Sequence, residues 1–157
     1  SRAACRIHCQ IWLREISGRE DGAPPPVDLA VEKMNGDFVR AHILNGTIRA
    51  CHDVSDGGIL AALAEMAMAS GTGARMSAHP RDLPGHAFWF GEAQARYIVA
   101  VPDHASFTRL AEAAGIPAMR LGTSGGQDLT LPDGGSISIA ALRETHERFF
   151  PAWMDGT

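Results

Sequence analysis

The stretch at residues 48–70, IRACHDVSDGGILAALAEMAMAS, limits this chain's fold more than any other. Residues 48–52 read as a short strand. Residues 53–58 (DVSDGG) form a loop carrying two acids, a hydroxyl and two glycines. Residues 59–70 are dense in Ala, Leu and Met, which predicts a helix. A strand end then delivers Asp53 into a turn, and the next helix aims its free N–H groups and positive dipole end at that turn. Such a helix start attracts phosphate, yet the carboxylates of Asp53 and Asp56 repel it. Magnesium reconciles the two, held by Asp53 or Asp56 while phosphate oxygens complete its shell. Ser55 can donate to phosphate or cap the helix, and Gly57 and Gly58 permit a tight turn and close approach. The plainer reading is a capped helix start, because Asp, Ser and Gly are the usual residues there.

The chain has 157 residues, the size of one domain with its own core. A formal net charge of −4 with seven neutral His argues against a nucleic-acid partner, which requires a basic face. No apolar run reaches the roughly 18 residues of a membrane span, and residues 1–6 lack the apolar core of a secretory signal. Cys5, Cys9 and Cys51 make an odd count, so a disulfide framework is not expected and a reducing, cytoplasmic setting is. A metal site on Cys5, His8 and Cys9 lacks a second Cys pair; the alternative is an irregular terminal segment.

Elsewhere the pattern alternates helix and strand. Residues 11–16 are a short apolar–polar run. Residues 18–26 (GREDGAPPP) are a connector stiffened by three prolines. Residues 27–44 predict a helix with Val27, Val31, Met34, Phe38 and Ala41 on one face, stopped by Asn45-Gly46. Strands are expected at residues 74–77, 88–90, 96–101, 118–121, 128–131 and, more weakly, 136–139. Asp103 caps a helix at 105–114 that Gly115 closes. Residues 122–126 (GTSGG) join two strands, residues 140–149 form a last helix, and the apolar tail FFPAWM is expected to pack down. The order predicts an α/β (α+β) layered domain with a mixed β-sheet covered by helices.

A second polar group lies in GEAQAR at residues 91–96. If extended, this turn sends Glu92, Gln94 and Arg96 to one side, a set able to bind a polar ligand; a solvated hairpin edge is the plainer alternative.

These motifs together resemble a family. HDVSDGG with LAALAEMAM, FGEAQARYIVAV at 90–101, the GTSGG turn, the closing FFPAWM and residues 18–40 are similar to the C-terminal half of formylglycinamidine ribonucleotide synthetase (phosphoribosylformylglycinamidine synthase), in its short, multi-subunit bacterial form. The resemblance spans residues 12–154. It implies the last C-terminal-type domain of a longer enzyme, with the fold of the C-terminal domain of aminoimidazole ribonucleotide synthetase. Residues 12–157 are then that domain and residues 1–11 an atypical segment. The family is an ATP-dependent ligase of purine biosynthesis. It phosphorylates the amide oxygen of formylglycinamide ribonucleotide, and ammonia then displaces phosphate. A glutaminase subunit supplies the ammonia and a small subunit helps assembly. In the long form the first Asp of this motif binds magnesium and its Ser binds nucleotide, at a pseudo-symmetric site that is structural rather than catalytic. Those positions are Asp53 and Ser55. GEAQAR corresponds to a substrate-binding segment of the earlier repeat, which implies ligand roles for Glu92 and Gln94. Ala93 stands where relatives carry Asp, and residues 1–9 depart from the family.

No catalytic residue is expected here. The chain has no phosphate-cradling Gly-rich lid and no activated base, and His52 is expected to be a buried strand-end histidine. The chain alone is expected to be inactive. Two alternatives are a structural or interaction domain with a vestigial nucleotide site, and the equivalent domain of aminoimidazole ribonucleotide synthetase or selenide water dikinase.

Overall fold

The computed structural model describes residues 10–19, 27–77, 80 and 83–155. The Cys5-His8-Cys9 reading, residues 1–9 of the atypical segment and residues 20–26 of the connector lie outside the described residues. The described residues fall into two compact units, drawn from Ser1–Leu63 with His79–Arg120 and from Ala64–Ala78 with Leu121–Thr157.

The first unit opens with α1 (Gln10–Ser17), whose Trp12 stacks on His86 at 5.1 Å. Helix α2 (Leu29–Leu44) starts at Asp28, whose carboxylate accepts from the N–H groups of Ala30 and Val31. It ends at Asn45, and Gly46 follows at φ +78°, a left-handed position that favours glycine. The inward face of α2 keeps Phe38 of the apolar face expected, but not its other members. Val31, Met34 and Ala41 are exposed, whereas Asn35, Gly36, Phe38, Val39 and His42 are half-buried. The reason is specific contact. Asn35 Nδ2 donates to the carbonyl of Ala95 at 2.8 Å, and a β-carbon on Gly36 would stand 3.3 Å from the Tyr97 hydroxyl.

Strand β1 (Ala50–Asp53) pairs antiparallel with β3 (Tyr97–Ala100), Ala50 opposite Ala100 and Asp53 opposite Tyr97. Between them in sequence, residues 88–90 are not a strand. Residues 85–89 form the short helix α4 (Gly85–Trp89), with Phe88 N–H donating to the Pro84 carbonyl at 3.0 Å. A short apolar run carries no period that separates strand from buried helix, and Ala87, Phe88 and Trp89 are all buried. Helix α5 (His104–Ala113) is capped by Asp103 and followed by Gly115 at φ +70°. Its Phe107 packs edge-on against Phe38 at 5.8 Å. Ile48, Val54, Ile59, Ile98, Phe107 and Ala111 line the core of this unit; burying each large apolar side chain contributes roughly 1.5–3 kcal/mol.

Helix α3 (Gly58–Ser70) begins in the first unit, and its residues from Ala64 belong to the second. The second unit holds a mixed four-stranded sheet of β2 (Ala74–Met76), β4 (Gly122–Ser124), β5 (Asp128–Thr130) and β6 (Ser136–Ser138), in the order β4-β2-β5-β6. The β2–β5 pair is parallel and the others antiparallel. The expected strand at 118–121 is absent; the pairing starts one step later, inside the glycine-rich segment read as a joint. Gly122 permits it, because a β-carbon there would stand 2.2 Å from the Arg75 carbonyl oxygen.

Helix α6 (Ile139–Met154) is capped by the Ser138 hydroxyl and runs beyond the expected end at residue 149, through Pro151. The expected packing of the tail is not observed in this chain: Phe149, Phe150, Trp153 and Met154 are 63–78% exposed. The mixed α/β class holds, although residues 88–90 are helical rather than a strand and β4 lies inside the glycine-rich segment.

Candidate functional site

The acidic turn forms where the sequence places it, between β1 and the start of α3. Its frame is backbone. Val54 is buried, and its N–H donates to the Arg96 carbonyl at 2.9 Å, extending the β1–β3 pairing by one bond. The N–H of Gly58 then donates back to the Ser55 carbonyl at 3.0 Å, closing the turn. Gly57 and Gly58 have φ +75° and +72°. Both lie in the region that L side chains rarely adopt.

The candidate ligand groups point outward. Asp53, Ser55 and Asp56 are exposed, the Asp53 side chain at 65%. His52 is half-buried rather than buried; its Nδ1 donates to the Asp53 carbonyl at 2.7 Å and lies 3.5 Å from Asp53 Oδ1. Both contacts tie the imidazole to the strand end. Among the described residues no group of three or more His, Cys, Asp or Glu is close enough to hold a metal ion. A cation at Asp53 would therefore take most of its ligands from a bound molecule and water, as magnesium on nucleotides does. Burial pushes the neighbouring Cys51 thiol up, and the Asp53 carboxylate adds to that.

GEAQAR is a turn, not an extended segment, so its polar groups do not share one side. Ala95 sits at φ +61°. Arg96 Nε donates to the Ala93 carbonyl at 3.0 Å, and Nη2 donates to that of Gly91. Gln94 is exposed at the tip. Glu92 turns inward and is only 9% exposed. Its Oε1 accepts from the N–H of Gly57 and from that of Ile11, each at 3.2 Å. The N–H groups of Gly57 and Gly58 are thus donated to Glu92 and Ser55, and the two glycines serve the shape of the turn, the role expected of them from the sequence. The structure brings together Asp53, Ser55, Asp56, Gly57, Gly58 and Glu92, and leaves Gln94 apart from this hydrogen bonding. Sequence reasoning did not find Glu92 as a backbone acceptor. The available signal was an acid directly after FWFG, where burial demands partners for the carboxylate.

With this geometry in hand, the profile described as "AIR synthase related protein, C-terminal domain" matches residues 6–132. The chain belongs to that family.

Within the AIR synthase related family, a curated relative is the phosphoribosylformylglycinamidine synthase subunit PurL of Acidiphilium cryptum. It is 59% identical over 148 residues, covering 94% of this chain and 20% of that protein. The chain therefore spans about a fifth of the length of that relative. Two solved structures share the fold. PurL of T. maritima complexed with FGAR gives a TM-score of 0.68 at 18% identity, over 87% of this chain and 25% of that one. The same protein complexed with ATP gives 0.64 at 17% identity, over 78% and 23%. At these identities the likeness shows that this chain shares the fold of part of those chains.

Proposed function

We propose that this chain is the last AIR synthase-type C-terminal domain of a phosphoribosylformylglycinamidine synthase, in which its acidic turn contributes to a nucleotide site. The single observation that carries the domain assignment is the 59% identity over 148 residues to the A. cryptum subunit. The whole enzyme would be a cytoplasmic ligase of purine biosynthesis. It would convert formylglycinamide ribonucleotide, ATP and ammonia to formylglycinamidine ribonucleotide, with glutaminase and small assembly subunits as partners. This chain's part would be binding.

At that turn, Asp53 would hold magnesium and Ser55 would donate to a phosphate oxygen, with Asp56 reaching the ion through water. The exposure of all three side chains suits an incoming hydrated ion. Magnesium would supply charge neutralisation for the phosphates. Gly57 and Gly58 keep the turn tight enough to bring these groups onto the start of α3. Glu92 supports that turn from below. Gln94, exposed at its own tip, would serve a ligand only where another part of the enzyme meets it.

One observation favours a second reading, a structural or interaction domain with a vestigial site. Among the described residues no group of three or more His, Cys, Asp or Glu could hold a metal ion by itself.

The test is a chimera. The matching fifth of the A. cryptum subunit is replaced by this chain, and ATP-dependent amidation with ammonia is assayed. Turnover by the chimera, with none by the isolated chain, is the expected result. A folded but inert chimera, or turnover by the chain alone, overturns the assignment.

A further inference from the structure

We propose that Glu92 is a positioning residue that makes the start of α1 and the acidic turn move as one. Its importance for ligand binding rests on the nucleotide reading above; the linkage itself does not.

The argument is geometric. A single oxygen, Glu92 Oε1, receives N–H groups from residues 81 and 35 positions away in the chain, each at 3.2 Å. Ile11 and Gly57 therefore cannot shift independently without one of them losing the bond. An ionised carboxylate only accepts, and its bonds to N–H groups are stronger than neutral ones. Ile11 lies in the first turn of α1, where N–H groups have no partner within the helix and the helix end is electropositive. A carboxylate suits that place. Gly57 follows directly on Asp56, so holding its N–H fixes the register of Ser55 and Asp56.

Glu92 is itself held on both sides. Arg96 takes the carbonyls of Gly91 and Ala93, the two residues flanking Glu92. Asn35 of α2 takes that of Ala95, which sits at φ +61°. The backbone of residues 91–95 is thus a fixed platform. From it one side chain reaches two other elements, and what displaces α1 displaces the turn that carries the candidate ligands.

The experiment measures amide hydrogen exchange by NMR in this chain and four variants. Glu92→Ala removes the acceptor, and Gly57 exchange is expected to rise about ten- to a hundred-fold, the equivalent of one lost charge-assisted bond. Glu92→Gln keeps an oxygen acceptor and is expected to restore most of the protection. Ile11→Pro deletes one donor in the first turn of α1, where that N–H has no partner within the helix; it is expected to speed exchange at Gly57, whereas Ile11→Ala, which keeps the N–H, is not. Unchanged Gly57 exchange in Ile11→Pro, or in Glu92→Ala, overturns the proposal. Should Glu92→Ala not fold, Ile11→Pro against Ile11→Ala decides it, because both leave Glu92 in place. A Mg-ADP titration of the same proteins adds the functional arm. If the unsubstituted chain binds, Ile11→Pro must weaken binding relative to Ile11→Ala, and equal affinities overturn the proposal. If the unsubstituted chain does not bind, the nucleotide reading fails and the exchange rates alone judge the linkage.

Discussion

A β-carbon placed on Gly58 would stand 2.6 Å from the carbonyl carbon of Phe90. The first residue of α3 is thus pressed against the backbone that leads into Glu92, with φ at +72°. Two independent penalties follow for any side chain: a left-handed backbone and a collision with backbone that has no rotamer to yield. Gly58→Ala is expected to destabilise the chain by roughly 2–4 kcal/mol. Gly46 provides the contrast. It has φ +78° but open space around its Cβ position, so Gly46→Ala should cost only about 1 kcal/mol. Urea denaturation of both variants checks this; equal losses would mean that the close approach to Phe90 has no energetic consequence.

The cap of α5 gives a pH dependence. The Asp103 carboxylate accepts from the N–H groups of Ala105 and Ser106. The Ser106 side chain first, then those backbone bonds, hold its pKa below the ordinary aspartate value, and nearby Arg109 adds to this. A lowered folded pKa means the unfolded state binds the proton more readily. The stabilisation is therefore complete above the ordinary aspartate pKa of about 3.9 and is lost as pH falls through the lower folded value. Asp103→Asn keeps a capping oxygen without the charge. Its stability deficit, read from urea midpoints, should be present at pH 6 and shrink below about pH 4; a deficit independent of pH contradicts the assignment.

Cys51 reports on the electrostatics of the turn. It is half-buried on β1, and its thiol is raised first by burial and second by the charge of Asp53. Removing that charge lowers the thiol pKa and increases the reactive thiolate at a given pH. In a Cys5→Ser, Cys9→Ser background, Asp53→Asn should speed modification by a disulfide reagent at pH 8. Slower or unchanged modification would show that Asp53 does not act on Cys51.

Much of this was legible in the residues, for identifiable reasons. The helix starts at Asp28 and Asp103 announce themselves because a side-chain oxygen has one common task before a helical pattern. The turn at residues 53–58 was readable because glycines and acids there break two opposite periodicities. Residues 88–90 misled because three consecutive apolar side chains suit a buried helix as well as a strand. The α2 face turned, keeping Phe38 but not Val31 or Met34, because Asn35 and Gly36 serve a hydrogen bond and a close approach, which hydropathy does not register. Glu92 was visible as polar but not as buried. Its partners, Gly57 and Ile11, are backbone groups, and backbone groups leave no mark in a sequence.

The most direct test of the central claim is calorimetric titration of this chain with Mg-ADP, alongside Asp53→Ala and Asp37→Ala. Asp37 is an exposed acid paired with Lys33 on α2 and controls for general loss of charge. The expected result is binding on the order of millimolar or tighter, about ten-fold or more weaker in Asp53→Ala and unaltered in Asp37→Ala. Equal affinity in all three proteins, or no heat from any of them, would contradict the claim that the acidic turn at the start of α3 tethers phosphates through a cation.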